Sequence, residues 1–165
     1  DGFYYLLTAS LYQSRYRGSD EKWRNTVFNN NYVVNGLIGK EFKLFKEERR
    51  NSKKMLNYLV VDLKSTIAGG QRYTPIDLEA SKKERETVYE LDRMNESQFD
   101  PYFRTDLNIG WKGVSKKFTQ EFTLLIQNVS NSTNFLMQRY DPFQNRVINV
   151  EQLGMLVIPQ YRITF

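Results

Sequence analysis

The sequence has no cysteine and no histidine among its 165 residues. Disulfides, Cys₂His₂ and Cys₄ zinc sites, thiol catalysis, Ser-His-Asp triads and haem ligation through His or Cys are thereby excluded. It also lacks an apolar run of the roughly 18 residues that a transmembrane helix needs. That excludes helical spanning only, because a spanning strand needs about 9–11 residues and alternates, so hydropathy windows miss it. No basic stripe is present either. The net charge is +5, but Lys40-Glu41-Phe42-Lys43 and Lys46-Glu47-Glu48-Arg49-Arg50 mix signs as a solvated turn does, which argues against nucleic acid. The chain opens at Asp1 without Met or a signal peptide and reads as a processed, excised or expressed piece.

What the sequence has in excess is aromatic residues, with eleven Tyr, eleven Phe and two Trp against four Pro. Such a bias suits β structure. Six segments alternate with period two, over 3–17, 26–45, 55–68, 102–111, 118–128 and 151–165. In the fourth, Phe103, Leu107, Ile109 and Trp111 oppose Arg104, Asp106, Asn108 and Gly110. In the last, Tyr161, Ile163 and Phe165 oppose Gln160, Arg162 and Thr164. The composition admits a short helix over 78–92.

The connections are uneven. Those over 45–55 and 111–118 are short, while 18–25, 69–101 and 128–150 are mostly longer. With the last strand ending on the periplasmic side of an outer membrane, the short turns fall inside and the long loops outside, as a bacterial barrel requires. Phe3, Tyr5, Phe42, Trp111, Phe118, Tyr161 and Phe165 then share one interfacial level. Segments of 10 to 20 residues also exceed the roughly five or six typical of soluble strands. Alternation alone leaves a lipid-facing wall and a soluble sheet equally possible.

Five pieces of the sequence carry a resemblance: "YYLLTASLYQSRYRGSDEKWRNTVFNNNYVVNGLIGKEFKL" (4–44), "AGGQRYTPIDLEAS" (68–81), "DPYFRTDLNIGWK" (100–112), "EFTLLIQNVSNSTNFLMQRYDP" (121–142) and "LGMLVIPQYRITF" (153–165). In this order the chain resembles the C-terminal β-barrel region of TonB-dependent outer-membrane receptors of the Bacteroidetes type. The resemblance implies an all-β, antiparallel, up-and-down transmembrane segment of about six long strands within a barrel of about 22. It implies active uptake of a scarce solute (an iron complex, a cobalamin or a glycan), with the remaining barrel strands, a plug, the TonB complex, outer-membrane lipid and the barrel assembly machinery as partners. The plug and TonB box are missing from the chain. Tyr161, Ile163 and Phe165 match the terminal aromatic signal that such machinery reads.

For substrate contact, the loop and upper-strand residues Tyr16, Trp23, Arg24, Arg72, Tyr73 and Tyr140 offer stacking and hydrogen bonding to a polar solute. Alternation places Asp62, Arg104, Asp106, Glu121 and Arg162 in a polar network facing the lumen, an assignment that inverts if the register slips by one. Asp77, Glu79, Glu84, Glu86 and Asp92 lack EF-hand spacing, so they read as a solvated loop and not a metal site. Gly69-Gly70 lacks the phosphate-loop pattern and reads as a bend. No catalytic residue, metal or cofactor is expected. Two rival readings stand beside transport: a non-transporting outer-membrane or surface module that binds a glycan or small solute, and a soluble β-sandwich or small-barrel binding protein.

Overall fold

The structure is a computed structural model and describes residues 2–44 and 55–165. The expected turn over 45–54 lies outside the described residues. In chain order the elements are β1 (Phe3–Leu11), β2 (Arg15–Arg17), β3 (Trp23–Asn25), β4 (Tyr32–Lys43), β5 (Leu56–Ala68), β6 (Arg72–Tyr73), helix α1 (Leu78–Glu84) and β7 (Ser97–Gln98). There follow β8 (Tyr102–Val114), β9 (Thr119–Gln127), β10 (Phe135–Asp141), β11 (Arg146–Glu151) and β12 (Leu156–Thr164). A 3-10 turn spans Leu91–Arg93.

The long strands form one antiparallel sheet in the order β1-β4-β5-β8-β9-β12, and the short ones pair as three separate hairpins, β2–β3, β6–β7 and β10–β11. The sheet register runs without a shift, for example from Leu56↔Val114 to Ala68↔Tyr102 between β5 and β8. One face therefore collects every second residue from all six strands. Phe42, Leu59, Trp111, Phe122 and Tyr161 make a continuous row across that apolar face. Of the aromatic level read from the sequence, Phe42, Trp111 and Tyr161 fall in this row, while Phe3 and Tyr5 pair with Lys40 and Ile38 and Phe118 and Phe165 lie beyond their strands.

The barrel reading is corrected by the topology. Among the described residues β1 and β12 each have one neighbour, so the sheet is open at both edges, and these residues form four unclosed antiparallel sheets. An open edge leaves backbone N–H and C=O groups unpaired, a cost that hydrocarbon does not relieve. The transmembrane segment, the wall of about 22 strands, the outer-membrane location and the transporter that depended on them fall together. Alternation reports which face a side chain takes; it carries no information on whether two edges meet.

Local boundaries differ as well. The first segment stops at Leu11, and the chain turns into the β2–β3 hairpin, where Thr26 N–H donates to Ser14 O at 3.1 Å. The second starts at Tyr32, six residues later than the alternation suggests, because Asn31 adopts a positive φ of 73°. The helix ends at Glu84, where Arg85 takes a left-handed conformation with φ 59°. Asp77 opens it by accepting from Ala80 N–H at 2.9 Å.

Burial is concentrated away from the sheet faces. Only Ala68 and Tyr140 are buried among apolar side chains of the described residues, while Asn29, Ser81, Asn95, Asn128 and Asn134 are buried polar ones. These lie where the three hairpins and α1 fold over one end of the sheet. The apolar face itself is open, with Tyr5 76 % and Leu7 70 % exposed.

Candidate functional site

The second face of the sheet is polar, and its centre is concave. The register places three rows side by side: Tyr4, Gly39, Asp62 and Asn108; then Glu41, Val60, Gly110, Thr123 and Gln160; then Tyr58, Lys112, Glu121 and Arg162. In the middle row the Thr123 side chain packs over Gly110, and Val60 stands between taller neighbours. Val60, Thr123 and Gln160 of this row help line a cleft of about 580 Å³ to which all six strands contribute. Its size falls within the range typical of small-molecule sites. Gly110 is required there, since a Cβ would lie 2.3 Å from Thr123 Cγ2 and 2.7 Å from Phe122 O.

One wall is a hydrogen-bonded chain. The Tyr4 hydroxyl donates to one Asp62 oxygen, and Asn108 Nδ2 donates to the other at 3.0 Å. Burial, and then the hydrogen bond to Asp62, push the Tyr4 phenol far above its ordinary range, so it stays a donor. The Tyr4 ring lies over Gly39, where a Cβ would meet it at 2.4 Å. The opposite wall is ionic. Lys112 Nζ reaches Glu41 Oε1 at 2.9 Å, and Arg162 stands 3.7 Å from Glu121. The bond to Glu41 raises the Lys112 pKa by more than partial burial lowers it. Gln160 and Thr123 lie in the row between these walls.

The structure brings together Asp62, Glu121 and Arg162 from the expected polar network at this cleft. Arg104 and Asp106 share the face but sit closer to the loop end, where Arg104 grips Asp106 through two bonds of 2.6 and 2.7 Å. Burial pushes the Asp106 carboxyl up, but Arg104 and the Asn128 N–H outweigh it and hold the carboxyl below its ordinary value. Because the sheet is open, this face borders no lumen.

The six residues expected to contact substrate are dispersed through the loop layer and largely occupied. Tyr16 donates to Met94 Sδ at 2.9 Å. Arg24 is forked onto Asp20. Arg72 donates to Asn29 O, Glu96 O and Asn31 Oδ1. Tyr73 stacks on Phe99 with centroids 4.3 Å apart, and Tyr140 is buried, its hydroxyl on Asn145 Oδ1. Trp23 is exposed. Arg72 and Tyr73 do line a shallower hollow of about 250 Å³ with Tyr89 and Phe99.

Tyr161 and Ile163 lie on edge strand β12, the Tyr161 hydroxyl donating to Gln120 Oε1 at 3.1 Å, and Phe165 extends past the strand. The assembly signal implied for these three belongs to the barrel reading. Among the described residues no group of three or more carboxylates is close enough to hold a metal ion. Asp77 caps α1 and Glu79 pairs with Lys82.

Tyr4, Glu41, Lys112, Thr123 and Gln160 were not singled out by the sequence reading. Alternation puts each on the polar face, but only the strand-to-strand register aligns them in adjacent rows. No family model matches the chain, and no curated protein or solved structure matches it. The resemblance to TonB-dependent receptors therefore has no support from these comparisons, and the open sheet contradicts it.

Proposed function

We propose that the chain is a binding module whose sheet offers its polar cleft to a small neutral solute with several hydroxyl groups, the glycan class. The observation that supports this reading is a cleft whose floor, at Val60 and Thr123, lies between a donor–acceptor wall and an ionic wall. A solute resting on that floor meets Asn108 and Gln160 amides, the Thr123 hydroxyl and carboxylate edges within one side chain of each other. A polyol presents both donors and acceptors and so matches such a mixed lining. An anion fits less well, because Lys112 and Arg162 already face Glu41 and Glu121. Breaking those pairs would leave carboxylates without their partners. The proposal includes no chemical step.

Calorimetric titration of the full chain with neutral mono- and oligosaccharides tests it. Measurable heat is expected for at least one sugar, and Gln160→Ala together with Thr123→Val should weaken that affinity roughly tenfold, the effect of losing about one or two hydrogen bonds. Silence across the panel from a folded chain, or affinity that ignores the double substitution, would overturn the reading.

A further inference from the structure

The two open edges of the sheet differ. Glu41 N–H donates to Gly2 O at 2.8 Å and Tyr12 N–H to Asn31 O at 2.9 Å. Even-numbered residues of β1 therefore direct their backbone groups at β4, and the odd-numbered ones direct theirs outward. At the other edge, Ser115 N–H donates to Phe118 O in the β8–β9 turn. Carried through the register, that alternation leaves the odd-numbered residues of β12 facing outward, Pro159 among them. Pro159 has no N–H to offer, and Arg162 adds charge to the same strand, two of the devices that blunt an edge against pairing. β1, with the sequence FYYLLTASL, has neither proline nor charge over nine residues and is exposed along its whole length.

We infer that the β1 edge is an interface for a second copy of this chain, paired antiparallel about a two-fold axis at Leu7. Leu7 is the middle outward-facing residue of β1. Centring the pair there sets Leu7 against its own counterpart and Tyr5 against Ala9 on the apolar face. On the polar face it sets Tyr4 against Ser10. Both tyrosines thus meet small residues, Phe3 meets Leu11, and every outward N–H and C=O of the strand meets a partner, giving about ten new backbone bonds. The arrangement is isologous and closes at two copies, while Pro159 keeps β12 from extending the sheet further.

Sedimentation of the full chain should give a dimer. Leu7→Lys places two like charges at the axis and is expected to weaken association on the order of 100-fold. Leu7→Pro removes an N–H that β4 does not use, so it should give a monomer with an unchanged circular dichroism spectrum. The natural chain has no cysteine, so a single introduced thiol reports its own neighbourhood. On oxidation Leu7→Cys should cross-link as a dimer and Ile163→Cys should not. A monomeric parent chain, cross-linking through Ile163→Cys, or mixed cross-links between the two variants would overturn the inference, the last by showing β1 paired with β12.

Discussion

The six-stranded sheet and the loop layer over one end of it are held by opposite means. The sheet is a ladder whose register never slips, and among the described residues its apolar face is left largely exposed. The loop layer has little regular ladder, yet it contains most of the fully buried side chains, and these are amides and hydroxyls. Asn29 accepts from Ser14 N–H at 2.8 Å and donates to Asn25 Oδ1 at 2.9 Å. Ser81 accepts from Val88 N–H at 3.0 Å and donates to Asp77 O at 2.6 Å. Asn134 goes further: its amide bonds both N–H and C=O of Phe103 at 3.0 and 2.9 Å, standing in for a strand residue beyond the end of β9. The lesson is that loops without an apolar core are ordered by side chains that imitate backbone, at the cost of tolerating few substitutions.

That contrast can be broken first at the joint between the regions. A Cβ on Gly70 would lie 1.8 Å from Phe99 O, and one on Gly69 would lie 1.7 Å from Asn30 O. Gly70→Ala should cost about 3 kcal/mol, the upper end for overpacking against backbone. Thermal unfolding should register this as a fall of roughly 6–12 °C. Next, Asn29→Ala leaves the Ser14 N–H without its acceptor and should cost about 2 kcal/mol. Hydrogen exchange should then accelerate in β2, β3 and β6 while β5 and β8 keep their protection. The opposite pattern would mean that the two regions are one cooperative unit.

A weaker effect comes from the Arg104–Asp106 clasp, where sheet and loops meet. The folded carboxyl titrates below its ordinary 3.8. Its stabilisation is therefore fully present above that value and is lost as pH falls through the lower folded one. Asp106→Asn should flatten the stability profile below about pH 4, read from denaturant midpoints across that range. Smallest of all, Arg17→Ala removes an exposed pair with Glu21 and should change stability by less than about 0.5 kcal/mol.

The long strands were legible because alternation is a local property: each of the six alternating segments overlaps one of the six sheet strands, with β8 running on to Val114 past the end of its segment. What lay beyond reach depends on contacts between distant residues. Whether β1 and β12 pair is decided by edge geometry, so the sequence allowed a closed wall that the chain does not build. The β10–β11 hairpin was read as loop, although Asp141-Pro142 and Asn145 flank a turn between two alternating runs, and Asn145 takes φ 50° there. The cleft was half legible. Asp62, Glu121 and Arg162 follow from alternation, whereas the cleft appears only when Val60, Thr123 and Gln160 are set in one row by the register. The loop aromatics looked like ligand contacts for the same reason that they fail as such: stacking and hydroxyl chemistry also serve packing, as Tyr73 on Phe99 and the buried Tyr140 do.

The central claim is that the polar face of the sheet, and not the loop layer, is the binding surface. Side-chain amide, methyl and aromatic NMR shifts, followed during titration with a neutral oligosaccharide that gives calorimetric heat, test it most directly. The account predicts shifts at Asn108, Thr123 and Gln160, with Trp23, Tyr73 and Tyr89 unmoved. Shifts confined to the hollow beside Tyr73, or to the apolar face around Leu7 and Leu63, would contradict it.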